Sequence, residues 1–98
     1  MPNSVLLDIS RVITAETLAA IVSEREYQEA GRGNARRHEG SDKRMTVGEF
    51  ILCMEKCLAD ARAAWYTPTG SVDSLPFIRK VTALGVQAMD LHGAPMRE

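Results

Sequence analysis

The residues best suited to chemistry are basic ones, crowded into a glycine-rich segment at positions 31–44. Its five cations are Arg32, Arg36, Arg37, Lys43 and Arg44. Two acids oppose them, so the segment carries +5 − 2 = +3, and the remainder of the chain, whose total is −1, carries −4. Guanidinium groups match phosphate oxygens, and glycines let backbone N–H groups approach the same anion. The pattern predicts a phosphate-binding loop, although a merely solvated basic loop has the same composition.

Further candidates for ligand binding lie on predicted helices. Arg25 precedes the basic loop, and Arg79 with Lys80 forms a second basic patch on the polar side of the third helix. Trp65 and Tyr66 end the second helix, where either ring could stack on a base. A tryptophan at the end of an apolar stripe is also a common core anchor, and both interpretations stay open at this point.

Acidic residues could instead hold a metal ion. Glu26 and Glu29 form an E-x-x-E pair on one helix face, a spacing at which two carboxylates can bind a divalent cation between them. The alternative is a solvated acidic face paired with Arg25 and Arg32. No nucleophile–base pair, zinc spacing, P-loop or dinucleotide fingerprint is present in the sequence.

The composition is that of one ordinary globular domain spanning residues 1–98, with 45% hydrophobic and 26% charged residues. A net charge of −1 gives no general attraction to duplex nucleic acid or to a membrane, and no apolar run is long enough to span one. Cys53 and Cys57, four apart on a helix, are too few for a disulfide framework and indicate reduced thiols. We therefore predict a cytoplasmic protein.

Apolar periodicity and capping residues predict an all-α fold with three main helices, at about 14–30, 46–66 and 74–92. Thr14 is the expected N-cap of the first. Thr46 and Glu49 form a capping box before the second. Asp73 or Ser74 is expected to cap the third helix. Pro76 would then fall in its first turn, where a missing N–H costs nothing.

Shorter segments complete this prediction. Residues 1–13 are expected to form an N-terminal arm or a short helix, and residues 31–45 the basic loop. Because the second and third helices are separated by about seven residues, we expect them to form an antiparallel hairpin. On the first helix, Leu18, Ile21 and Val22 share a face that continues as charged side chains, and such a stripe is typical of a pocket wall.

The apolar faces of the last two helices are wider than a three-helix unit can bury. The predicted stripe of the second helix consists of Val47, Phe50, Met54, Cys57, Leu58, Ala61 and Trp65. Its reverse side carries small residues and Leu52. The third helix has a broad apolar arc that predicts packing on two sides. The sequence therefore predicts a homo-oligomer.

Three stretches carry a resemblance to known proteins: SEREYQ (23–28), VGEFILCMEKCLADARAAW (47–65) and IRKVTALGVQAMDLHGAP (78–95). Together they resemble small helical proteins encoded by tailed phages and prophages, which are themselves similar to the MazG-type all-α NTP pyrophosphatases. That family holds magnesium with an E-x-x-E and an E-x-x-D motif. Carried onto this chain, the motifs fall on 57–60 and 87–90, where only Asp60 and Asp90 are acidic.

The resemblance implies a nucleotide-sized pocket without the family's full set of metal ligands. Our first hypothesis is a non-catalytic phage protein that binds a small nucleotide, needs no cofactor and sequesters a nucleotide signal of bacterial antiviral defence. One alternative is a magnesium-dependent NTP pyrophosphatase, with Glu26, Glu29, Asp60 and Asp90 as the available metal ligands. Another is an inhibitor that binds a host protein.

Overall fold

A computed structural model describes residues 11–30 and 45–97, and in these ranges the chain is helical, without strands. Helix α1 spans Ala15–Gln28, α2 spans Val47–Trp65 and α3 spans Gly70–His92. The all-α prediction with three main helices is thus confirmed. None of the described helices combines the length and apolarity needed to cross a bilayer. Residues 1–10 of the arm predicted at 1–13, and residues 31–44 of the basic loop predicted at 31–45, lie outside the described residues, whereas residues 11 and 12 are helical.

Side-chain caps fix the starts of the first two helices as predicted. The Thr14 hydroxyl accepts the Thr17 backbone N–H (3.1 Å) at the start of α1. At α2, Thr46 Oγ1 accepts the Glu49 N–H (3.1 Å) and Glu49 Oε1 accepts the Thr46 N–H (2.8 Å), which makes a reciprocal capping box. Each cap satisfies donors that the first helical turn leaves without partners.

Helix α3 begins at Gly70, four residues before the predicted start, and this prediction was wrong. Asp73 does not cap a helix that follows it, because its carboxylate accepts the hydroxyls of Thr67 (2.9 Å) and Thr69 (2.7 Å). These bonds close the bend after α2 tightly enough for helical turns to start at once. Pro76 consequently lies inside α3 and not in its first turn.

The two threonine hydroxyls hold the pKa of the Asp73 carboxyl below its ordinary value, since they donate to its ionised form. A lowered folded-state pKa means that this contribution to stability is present above the unfolded-state pKa and lost as pH falls through the folded-state pKa. We expect Asp73→Asn to lower the melting temperature at neutral pH, with the difference from wild type shrinking as the pH falls below the ordinary aspartate range. Thermal melts followed by circular dichroism across that range provide the measurement. A deficit that is constant with pH would show that the carboxylate charge does not matter.

The core lies between α2 and α3, where Phe50 and Leu84 are almost fully buried beside Met45. Both cysteines are free thiols and pack, half-buried, against this cluster. His92 Nε2 donates to the Met45 carbonyl oxygen (2.7 Å), and its ring meets Phe50 edge to face. The start of α2 therefore lies beside the end of α3.

The contacts of α2 and α3 follow opposite orders along the two helices, as in an antiparallel pair. Met54, in the first half of α2, lies against Gly85 in the second half of α3. Trp65, which ends α2, lies against Gly70, which begins α3. The other side of α3 packs on α1, which has no comparable contact with α2. Helix α3 is accordingly the middle element, and its prediction as a helix packed on two sides is confirmed.

The predicted apolar stripe of α2 is only partly buried. Phe50 and Ala61 are buried, whereas Val47, Leu58 and Trp65 each expose more than half of their surface. Trp65, at 57% exposure, is therefore not an anchor in the core of this chain. The stripe is only partly buried because it is wider than the contact that one helix can make. Helix α3 covers only the part of the stripe that faces it.

Candidate functional site

A groove of about 760 Å³ lies between α1 and the second half of α3, within the size range of small-molecule sites. Its apolar lining consists of Ile13, Leu18, Ile21, Val22, Ala30 and Val86. Its charged lining consists of Arg25, Glu26, Glu29 and Asp90. The α1 stripe that turns from apolar to charged thus forms one wall, and α3 supplies the other.

Arg25 is the cation of the groove, and its own helix holds it in place. One terminal nitrogen donates to Gln28 Oε1 (3.1 Å), and the other forms an ion pair with Glu29 Oε2 (2.6 Å). The Arg25 side chain is only 17% exposed, which limits the screening of its charge by water. A guanidinium has five N–H donors, so these two bonds leave others for a ligand.

The carboxylates lining the groove come from both walls. Glu26 and Glu29 come from the α1 wall, and Asp90 comes from α3. The predicted metal site required that carboxylates of these two helices lie beside one another. Nevertheless, no three His, Cys, Asp or Glu side chains in the described ranges come close enough together to hold a metal ion.

Asp60, the fourth metal candidate, does not line this groove. It lies on α2 and accepts a hydrogen bond from Lys56 Nζ (2.7 Å), a pairing that raises the pKa of the Lys56 ammonium. Since α1 packs mainly on α3 and has no comparable contact with α2, Asp60 and the α1 carboxylates belong to different parts of the fold.

The two cations of the predicted second basic patch have different roles in the structure. Arg79 Nε forms an ion pair with Glu24 Oε1 (2.7 Å), joining α3 to α1. Lys80 lies over the Phe77 ring of its own helix, with Nζ 5.3 Å from the ring centroid. Sequence reasoning missed Glu24, which is 5% exposed and stands 55 residues from its partner. No local pattern marks such a pair.

Trp65 and Tyr66 meet edge to face at the α2–α3 bend, with ring centroids 5.2 Å apart. The bend adjoins the first turn of α3, whereas the groove uses Val86 and Asp90 of the same helix. At 1.5 Å per helical residue, the 16 positions from Gly70 to Val86 place the bend roughly 24 Å along α3 from that part of the groove. The structure thus does not bring these aromatic residues to Arg25.

The remaining predicted ligand-binding residues, Arg32, Arg36 and Arg37, lie outside the described residues. Their segment follows Ala30, which itself lines the groove. The basic segment therefore follows a residue of the groove directly in the sequence.

Comparison with known proteins gives no relative. No protein-family model matches the chain, and no curated protein or solved structure is significantly similar to it.

Proposed function

We propose that this chain binds a small phosphorylated ligand in the groove between α1 and α3. The observation that carries the proposal is the groove's make-up: an apolar lining, a partly buried arginine and, directly after Ala30, the basic segment. Such a site suits a molecule with a flat apolar part and an anionic part. Arg36 and Arg37 follow Ala30 by six and seven residues in the sequence, and we assign the phosphates of the ligand to them.

A nucleotide is the ligand we propose, held without turnover. The resemblance to MazG-like phage proteins supports a nucleotide, and sequestration of a defence signal is the biological role that follows from it. The acidic lining argues against a bare phosphate inside the groove, because three carboxylates face one arginine. The phosphates are therefore assigned to the side of the basic segment, and the base to the apolar lining.

The test begins with mass spectrometry of small molecules released by heating protein purified from cells. Calorimetry with the nucleotide found then compares wild type with Arg36→Ala and Arg37→Ala. Because each arginine would make a charge-assisted hydrogen bond, we expect each loss to weaken binding roughly ten- to a hundredfold. Arg97→Ala is the control, since this arginine is exposed after the end of α3 and does not line the groove.

Circular dichroism checks that all three variants keep their helices. Unchanged affinity in both segment variants would contradict the assigned phosphate position. Absence of any released or binding nucleotide would reject the proposed function itself.

A magnesium-dependent NTP pyrophosphatase is the second candidate, and one observation favours it. Glu26, Glu29 and Asp90 line the same groove although they come from two helices. Among the described residues, these carboxylates do not form a metal-binding cluster. Steady pyrophosphate release from NTPs with magnesium, lost on Asp90→Ala, would favour this candidate over sequestration.

A further inference from the structure

The hairpin of α2 and α3 leaves an apolar surface uncovered, which we call the apolar flank. On α2 it consists of Val47, Ile51, Leu58 and Trp65, and on α3 of Leu75, Ile78 and Met89. Each of these residues is at least 46% exposed. With 100° of rotation per helical residue, the exposed residues of each helix form one stripe. Each stripe lies next to the face with which that helix contacts the other helix of the hairpin. Because Met54 meets Gly85 at the edge between the stripes, both stripes face the same side of the hairpin.

The size of the apolar flank is that of an interface. From their exposed fractions, the seven residues present roughly 700 Å² of mostly apolar surface, more than the approximately 300–600 Å² of the largest patch on a typical monomer. A standard protein–protein interface buries about 800 Å² on each partner. The flank alone therefore supplies most of the surface that one side of a stable interface needs.

The α2 stripe is symmetric about Leu58. Ile51 and Trp65 lie seven residues before and after it, the heptad spacing of one coiled-coil position. Glu55 and Arg62 lie three residues before and four after it, at the outer edge of the stripe, and neither forms an ion pair with another described residue. In an antiparallel pair of α2 helices centred on Leu58, Glu55 of each copy would face Arg62 of the other.

The α3 stripe has its own centre at Thr82, with Leu75 and Met89 seven residues to either side and no charged residue among its members. The Met54–Gly85 contact shows where the centres of the two stripes lie along the hairpin, because α2 and α3 run in opposite directions. Four residues after Met54 comes Leu58, and four before Gly85 comes Val81, next to Thr82. Both centres therefore lie at nearly the same height along the hairpin.

We propose that two copies of this chain pack their apolar flanks together across a two-fold axis that passes beside Leu58 and Thr82, forming an antiparallel four-helix bundle. One axis perpendicular to the helices places α2 on α2 and α3 on α3 of the second copy. It buries both stripes at once and forms two Glu55–Arg62 pairs between the copies. Two-fold symmetry requires such self-complementarity of a surface. The inference is independent of the proposed ligand.

The first test is the mass of the full chain, by light scattering and sedimentation over a range of concentrations. We expect a dimer that Leu58→Glu weakens at least about a hundredfold, because the change places two carboxylates at the centre of an apolar interface. Leu52→Glu is the matched control, since Leu52 is 65% exposed and lies outside the stripe, about 120° around α2 from Leu58. A monomeric wild type, or equal weakening by both variants, would overturn the proposal.

Charge exchange tests the symmetry itself. Glu55→Arg and Arg62→Glu should each weaken the dimer roughly tenfold, because each places like charges opposite one another twice. The double variant Glu55→Arg/Arg62→Glu restores two opposite-charge pairs and should return to within about threefold of wild type. Loss without restoration would overturn the antiparallel arrangement. Circular dichroism of each variant confirms that the helices are retained.

Discussion

Replacing Arg79 with methionine is expected to lower the free energy of unfolding by about 3 kcal/mol. Glu24 is 5% exposed, and Arg79 is its ion-pair partner at 2.7 Å. Methionine keeps much of the side chain's apolar length but leaves a buried carboxylate without a cation. Breaking such a pair costs more than the pair itself contributes, because the remaining charge stays away from water. Urea unfolding at neutral pH provides the measurement.

Lys80→Met is the matched control, since it removes a neighbouring cation from the same helix. Lys80 Nζ lies over the Phe77 ring and forms no ion pair with another described residue, so its loss should cost about 0.5–1 kcal/mol. The double variant Glu24→Leu/Arg79→Met removes both charges and should recover much of the lost stability. Equal effects of Arg79→Met and Lys80→Met would mean that the Glu24 pairing does not hold α1 on α3.

Gly70→Ala, which adds a methyl group, should lower the free energy of unfolding by about 3 kcal/mol. Urea unfolding at neutral pH provides the measurement. A Cβ atom on Gly70 would lie 1.9 Å from the Trp65 carbonyl oxygen and 2.5 Å from its carbon. These are backbone atoms of the preceding helix, so they cannot rotate away as a side chain can. The bend between α2 and α3 must open to accept the methyl group, and that disturbs the pairing of the two helices.

Gly48→Ala is the control for this substitution. Gly48 also lies in the first turn of a helix, but its added Cβ would meet only the Thr46 hydroxyl, at an ordinary 3.8 Å. Alanine has the higher helix propensity, so we expect no loss and a gain of up to about 1 kcal/mol. A Gly70→Ala variant as stable as Gly48→Ala would contradict the tight bend.

The helices that were predicted well are those whose signals are local. Thr14 and Thr46 cap the turn that follows them, and such caps are visible within four residues of sequence. The start of α3 was mispredicted because the residues that determine it also interact with the end of α2 and the bend that follows it. Asp73 bonds back to Thr67 and Thr69, and Gly70 is needed by its contact with Trp65. Capping preferences alone predicted a helix start at Asp73 or Ser74, with Pro76 in the first turn. The bend instead lets the helix begin at Gly70.

The candidate site was half predictable for the same reason. Periodicity placed Leu18, Ile21 and Arg25 along one wall, because these residues belong to a single helix. The facing wall, with Val86 and Asp90, depends on which helix α1 packs against, and a single sequence contains no signal for that choice. Burial of Glu24 against α3 depends on the same packing.

Because α1 is attached mainly to α3, the groove is a conditional feature of the molecule. One wall belongs to α1 and the other to the hairpin, so the groove exists only in the fraction of molecules whose α1 is packed. A ligand that needs both walls selects that fraction and raises it, and its apparent dissociation constant is the intrinsic one divided by the packed fraction. The Glu24–Arg79 pair never touches the ligand in this arrangement. It nevertheless sets the affinity by thermodynamic linkage, because it determines how often the second wall is present.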